Sequence, residues 1–345
     1  MDIANPGVAA GSRSRMTQRK PNRIAQEGIR LSRFTCVPSR RSGIARVVAL
    51  VALALVAVPS GALARQEGPW GLAVLAIGIN SAQADGCPIE TPNGLNLYIA
   101  STRPGAVGGD GDANDIWRFH RTAIDAPWGN AEHLPAPVNS AAADFCPTPL
   151  TGKRLYFVSS RSVAGGCGAG DMYRTREHPV LGWLQPENLG CQATGDGPNF
   201  AGGEFSPSLI ETDGSTLLFF SSTGLDGADQ DIYVSEMRAD GTFGPGISVS
   251  ELNTGANDQM PNVSRDGLEM VFASDRTGGA GAFDIWAATR ERTSDPWSAP
   301  VNLGANVNTT AAETRPSLSG DGRRLHFGRL GDIWVSSRDV GNALD

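Results

Sequence analysis

The sequence predicts an all-β protein, a five-bladed β-propeller whose last blade is closed by an N-terminal strand at residues 70–80. Three observations predict it. One pattern recurs five times at spacings of 54 to 60 residues, which is the signature of a repeat architecture. Each repeat carries short runs rich in β-branched and aromatic residues bounded by Gly and Asp, which is strand chemistry. The 43 Gly and 22 Pro in 345 residues fit many turns rather than long helices.

Each repeat opens with an acid three residues before a proline: Asp85/Pro88, Asp144/Pro147, Glu204/Pro207, Asp258/Pro261 and Glu313/Pro316. A turn follows at Asn93-Gly94, Gly152-Lys153, Asp213-Gly214, Asp266-Gly267 and Asp321-Gly322. Next come a strand such as RLYFVSS, a glycine-rich loop and an Asp-Ile/Met-aromatic motif that begins at Asp115, Asp171, Asp231, Asp284 or Asp332. Four repeats end in a further strand: Trp128 to Asn139, Trp183 to Leu189, Phe243 to Asn253 and Trp297 to Asn308. Four strands per unit make a propeller blade. The fifth repeat lacks its last strand, and the segment Trp70 to Asn80, followed by Asp85, runs parallel in sequence to Trp297 to Asn308, followed by Glu313. A strand from one end completing the blade begun by the other closes the ring without free edges.

The domain organisation expected is residues 1–64 as a basic N-terminal region with a signal peptide or N-terminal anchor, and 65–345 as one propeller. The first 64 residues hold ten Lys/Arg against Asp2 and Glu27, then an apolar run from Val47 to Val58. Such a run is short for a spanning helix and suits a secretory signal, with Ala62-Leu63-Ala64 as the cleavage site. The expected location is periplasmic or secreted, with membrane contact only through an uncleaved N-terminal segment. Beyond residue 64 there are 19 basic and 34 acidic residues, a formal charge of −15. That surface repels nucleic acid, so no nucleic-acid partner is expected. Cys87, Cys146, Cys167 and Cys191 remain in an oxidising compartment as possible disulfides, with 87–146 and 167–191 the first pairing to consider.

PSLSGDGRRLHFGRLGDIWVSSR and MPNVSRDGLEMVFASDRTGGAGAFDIWAATR resemble the WD40-like β-propeller repeats of TolB-type periplasmic proteins. The resemblance covers residues 70–345. It implies the fold and an envelope compartment, and little about function, because that family serves many roles. TolB-type proteins themselves have six blades and an extra N-terminal domain, neither of which is expected here.

The five acids Asp85, Asp144, Glu204, Asp258 and Glu313 are the candidate binding residues, a ring of carboxylates at equivalent heights around the channel. Their alternative role is to accept hydrogen bonds from neighbouring backbone. Arg103, Arg161 and Arg276 are expected to pair with Asp115, Asp171 and Asp284, with Thr223 at the matching place in the third blade. Asp110, Asp112 and Asn114 match the first ligand positions of a calcium loop, but Arg121 stands where its glutamate belongs. There is no G-x-S-x-G or H-E-x-x-H, and the four His, at 120, 133, 178 and 326, have no ligand spacing. No catalytic residue, cofactor or metal is expected.

The function expected is an exported, non-enzymatic binding or scaffold propeller of the cell envelope. Its partner would be a protein, peptide or glycan, held by loops such as Pro104 to Asn114 and Ser162 to Gly170. The alternative is a glycoside hydrolase using channel carboxylates. That chemistry needs acids that one blade holds and the others lack, and Glu90, Glu211 and Glu269 are those available.

Overall fold

Every inner strand breaks its ladder at the same place. The residue before each proline, Cys87, Cys146, Ser206, Met260 and Arg315, has a positive φ of 47, 48, 49, 57 and 53°. Each coincides with a register shift in the pairing to the second strand. Proline has no N–H to give the ladder, and a bulge accommodates it. Cys87, Cys146, Ser206 and Arg315 line one small cavity with the prolines of all five blades. The bulges therefore meet on the propeller axis.

The computed structural model describes residues 68–105, 114–163, 166–212, 214–224, 227 and 229–339; the expected signal segment lies outside them. Blade 1 comprises Asp85–Glu90, Asn96–Ser101, Asp115–His120 and Glu132–His133. Blade 2 comprises Asp144–Leu150, Arg154–Ser159, Asp171–His178 and Glu187–Asn188, with Gly182–Trp183 pairing on the end of its third strand. Blade 3 is Glu204–Glu211, Thr216–Ser222, Asp231–Glu236 and Ile247–Ser248. Blade 4 is Asp258–Val263, Glu269–Ser274, Asp284–Thr289 and Val301–Asn302. Blade 5 is Glu313–Leu318, Arg324–Arg329 and Asp332–Ser337, with Val74–Leu75 as its outermost strand. All pairings within the blades are antiparallel, and Val74 stands opposite Val335.

The outer strands are two residues long, far shorter than the runs the sequence suggests. A short edge offers little unpaired backbone to another chain. An asparagine ties each of them down instead. Asn139, Asn199, Asn253, Asn308 and Asn80 accept the amides of Ile116, Met172, Ile232, Ile285 and Ile333 at 2.7 to 2.9 Å.

Five apolar clusters fill the spaces between neighbouring blades. Leu97, Ile99 and Phe119 of blade 1 pack with Ile333 of blade 5 and with Ala76 and Ile79 of the N-terminal segment. Tyr98 and Ile116 pack with Leu155 and Phe157 of blade 2, and Val158 and Met172 with Leu218 and Phe220 of blade 3. Phe219 and Ile232 join Phe272 and Trp286 of blade 4, and Val271 and Ile285 join Leu325 and Phe327 of blade 5. Five interfaces for five blades make a closed ring. Arg338 of blade 5 also stacks over Trp70 at 4.2 Å, repeating Arg121 over Trp128 at 4.0 Å and Arg290 over Trp297 at 4.1 Å.

Candidate functional site

The five acids of the repeat are buried. Each caps the turn that leads into its own inner strand. The amides of Ser81, Ser140, Phe200, Thr254 and Thr309 donate to Asp85, Asp144, Glu204, Asp258 and Glu313 at 2.5 to 3.0 Å. Arginines complete four of these sites: Arg103 on Asp85 at 2.6 Å, Arg161 on Asp144 at 2.6 Å, Arg276 on Asp258 at 2.5 Å and Arg329 on Glu313 at 2.7 Å. The carboxylate side chains in these pairs have no solvent exposure.

These pairs correct the expected partners of Arg103, Arg161 and Arg276. Asp85 pairs in register with Ser101, so the arginine two residues on folds back to the acid of its own inner strand. The motif aspartates bind other groups: Asp115 the His133 ring at 2.6 Å, Asp171 the Asn188 amide at 2.7 Å and Asp284 the Asn302 amide at 2.7 Å. In blade 3 the register Glu204↔Ser222 puts Gly224, not Thr223, at the arginine position. Glu204 therefore lacks a cation, and its carboxyl is pushed up to about 9 by burial.

A different end of the inner strands is open. All five blades contribute to a cavity of about 220 Å³ at the mouth where these strands leave the channel. Glu90 and Glu211 line it, from blades 1 and 3, together with Thr148, Asn262, Arg265 and Ser319. An adjoining cavity of about 340 Å³ shares Arg265 and Ser319 and adds Glu269. The three glutamates that single blades hold thus stand around one end of the propeller.

Arginines hold all three. Arg324 grips Glu90 with two bonds of 3.0 Å, Arg121 adds one of 3.1 Å, and His326 lies 3.7 Å away. Burial lowers His326 to about 4, so that ring is neutral at neutral pH. Glu269 is buried against Arg338. Glu211 is the exposed member, with 47% side-chain exposure and Arg154 at 2.7 Å. The bond from Arg154 lowers its carboxyl below the ordinary value.

Cys167 and Cys191 form a disulfide with 5.6 Å between Cα atoms. Cys87 and Cys146 are free thiols in contact on the axis. The disulfide tethers the loop from Ser162 to Gly170, whose Cys167 and Gly168 amides donate to Asp171 at 2.9 and 3.1 Å. Most of the loop from Pro104 to Asn114, with Asp110 and Asp112, lies outside the described residues. Among the described residues, no group of three or more His, Cys, Asp or Glu is arranged to hold a metal ion, and no helix is long and apolar enough to cross a membrane.

No family model matches the chain, and no curated protein is similar to it. Solved structures are similar. An α-L-arabinofuranosidase from Podospora anserina, in complex with cellotriose, matches with a TM-score of 0.45 and 14% identity over 79% of this chain and 97% of that one. An α-L-arabinofuranosidase from Lactobacillus brevis matches with a TM-score of 0.49 and 12% identity over 78% and 95%. A family 117 glycoside hydrolase from Zobellia galactanivorans matches with a TM-score of 0.49 and 14% identity over 81% and 94%. The likeness is one of fold. The resemblance to TolB-type repeats likewise reaches the propeller and no further. The expectation of a non-enzymatic binding or scaffold module is corrected here: the mouth is lined by carboxylates that single blades hold, the arrangement the alternative requires, and not by a symmetric ring.

Proposed function

We propose that this propeller is a glycoside hydrolase that receives a saccharide at the strand-exit mouth. The observation that carries the reading is the asymmetry of that mouth, where Glu90 and Glu211 line one cavity and have no counterparts in the other blades. Glycoside hydrolysis generally needs two carboxyl groups flanking the bond, one to protonate the leaving oxygen and one to face the positive charge that develops on the sugar.

Glu211 is the proton donor in this reading, because it is the exposed member of the pair. Glu90, locked by Arg121 and Arg324, is the fixed charge beneath the sugar. Since Arg154 lowers the Glu211 carboxyl, the donor form gains population toward acid, and turnover rises as pH falls below neutral. The Cys167–Cys191 disulfide supports an extracytoplasmic site of action.

The test is to incubate the full chain with arabino-, xylo- and cello-oligosaccharides from pH 4 to 7 and follow chain length by chromatography. Glu211→Gln is expected to lower kcat by about 100-fold or more with little change in KM. Turnover of no substrate in the panel, or equal turnover by parent and Glu211→Gln, defeats the reading.

A further inference from the structure

The propeller axis holds chemistry that the mouth does not use. Cys87 and Cys146 come from adjacent blades, and their Sγ atoms are 2.7 Å apart. Ser206 of blade 3 approaches Cys146 Sγ at 3.6 Å. Arg315 reaches in from blade 5, the other neighbour of blade 1: a Cβ built on Gly86 would stand 2.7 Å from its Nη1, so the bare glycine is what admits the guanidinium. Its Nε has no hydrogen-bond partner among the described residues. Cys87, Cys146, Ser206 and Arg315 share a cavity of about 20 Å³, enough for one water-sized molecule.

We propose that Cys87 and Cys146 form a peroxide-reactive dithiol on the propeller axis, in which Cys146 is oxidised first and Cys87 resolves it into a disulfide joining blades 1 and 2. The Cys146 thiolate attacks one oxygen of hydrogen peroxide; the O–O bond breaks, hydroxide leaves and takes up the proton that Cys146 had released to solvent, and Cys146 becomes a sulfenic acid. Cys87 sulfur then attacks Cys146 sulfur, the S–O bond breaks, and hydroxide leaves with the Cys87 proton as water. Two thiols are oxidised by two electrons, and one hydroperoxide is reduced.

The surroundings set the order. Burial raises the Cys146 thiol, but the hydrogen bond from Cys87, the charge of Arg315 and the Ser206 hydroxyl outweigh it and bring it down to about 6. Burial and the bond to Cys146 push Cys87 well above the ordinary thiol value. Arg315 acts on both sulfurs, whereas the Ser206 hydroxyl serves Cys146 alone, so the thiolate is favoured at Cys146 and the shared proton at Cys87. The size of the cavity disfavours large oxidants: a bulky disulfide such as oxidised glutathione has no room, and hydrogen peroxide is the hydroperoxide nearest to its size.

The test uses the full chain, reduced mildly enough to leave Cys167–Cys191 closed, then treated with hydrogen peroxide and mapped by peptide mass spectrometry after alkylation. A linked 87–146 peptide is expected. Cys87→Ser should accumulate a dimedone-trapped sulfenic acid at Cys146, and Cys146→Ser should leave Cys87 unoxidised. The parent's rate should be half-maximal near pH 6, and Arg315→Gln should move that midpoint up by about one unit. Should Arg315→Gln fail to fold, the parent's own pH profile decides. Oxidised glutathione should react at least ~100-fold more slowly than peroxide, since attack requires access. Cys146 remaining a thiol under peroxide, a midpoint near the ordinary thiol value, or an 87–146 bond that no reductant opens in the folded chain overturns the proposal.

Discussion

The Ser222 hydroxyl donates a 3.1 Å hydrogen bond to Glu204 Oε1 in the one blade where the repeated carboxylate has no arginine. The Phe200 amide adds a second bond at 3.0 Å, and Oε2 has no partner among the described residues. The arginine position is Gly224, whose φ of 63° and close approach to the Tyr233 hydroxyl leave no room for a side chain. Phe200 also replaces the Ser or Thr whose hydroxyl serves the acid in the other blades.

A pH dependence follows from this gap. Glu204 holds its proton in the fold up to about 9, against an ordinary value of 4.5. Its contribution to stability is complete below that ordinary value and is lost as pH climbs toward the folded one. Glu204→Gln should flatten the decline. Between pH 5 and 8 the parent should lose on the order of 3 kcal/mol relative to the variant in urea unfolding. Parallel curves would refute the assignment.

The four arginine pairs differ in kind from the pairs on the surface. Arg276→Ala leaves Asp258 buried without its cation and should cost about 3 kcal/mol. Arg154 and Glu211 are 35% and 47% exposed, so Arg154→Ala should cost less than about 1 kcal/mol. Urea midpoints of the two variants compare them directly.

Cys167 and Cys191 are 24 residues apart. Opening a loop of that length by Cys167→Ser should lower stability by about 3 kcal/mol. A loss below ~1 kcal/mol would mean that the Asp171 bonds to this loop already hold it.

Gly86→Ala tests the axis without touching a thiol. The added methyl needs the space of Arg315 Nη1, which should displace the guanidinium and raise the alkylation midpoint of Cys146 by about one unit. An unchanged midpoint would show that the cation does not act on that sulfur.

What the sequence by itself determined is the part written in local periods. The acid before each proline, the turn after it and the Asp-Ile/Met-aromatic motif recur at fixed offsets, because each blade must form its own ladder with the same chemistry. The fifth repeat lacks its last strand, and the Trp70 to Asn80 segment has the same spacing as Trp297 to Asn308 for the same reason.

Partners across a strand pair were less legible. Arg103 lies nearer in sequence to Asp115 than to Asp85, and only the register Asp85↔Ser101 decides between them. Thr223 looked like the arginine position until Glu204↔Ser222 moved it by one residue to Gly224. Glu90 and Glu211 stood out in sequence as acids without counterparts, but their shared cavity depends on ring closure. The same closure sets Cys87 against Cys146 and brings Arg315 of blade 5 against Gly86 of blade 1. Strand pattern is local and readable, whereas the meeting of five blades on one axis is a sum of contacts among residues tens to hundreds of positions apart, and tertiary structure alone decides it.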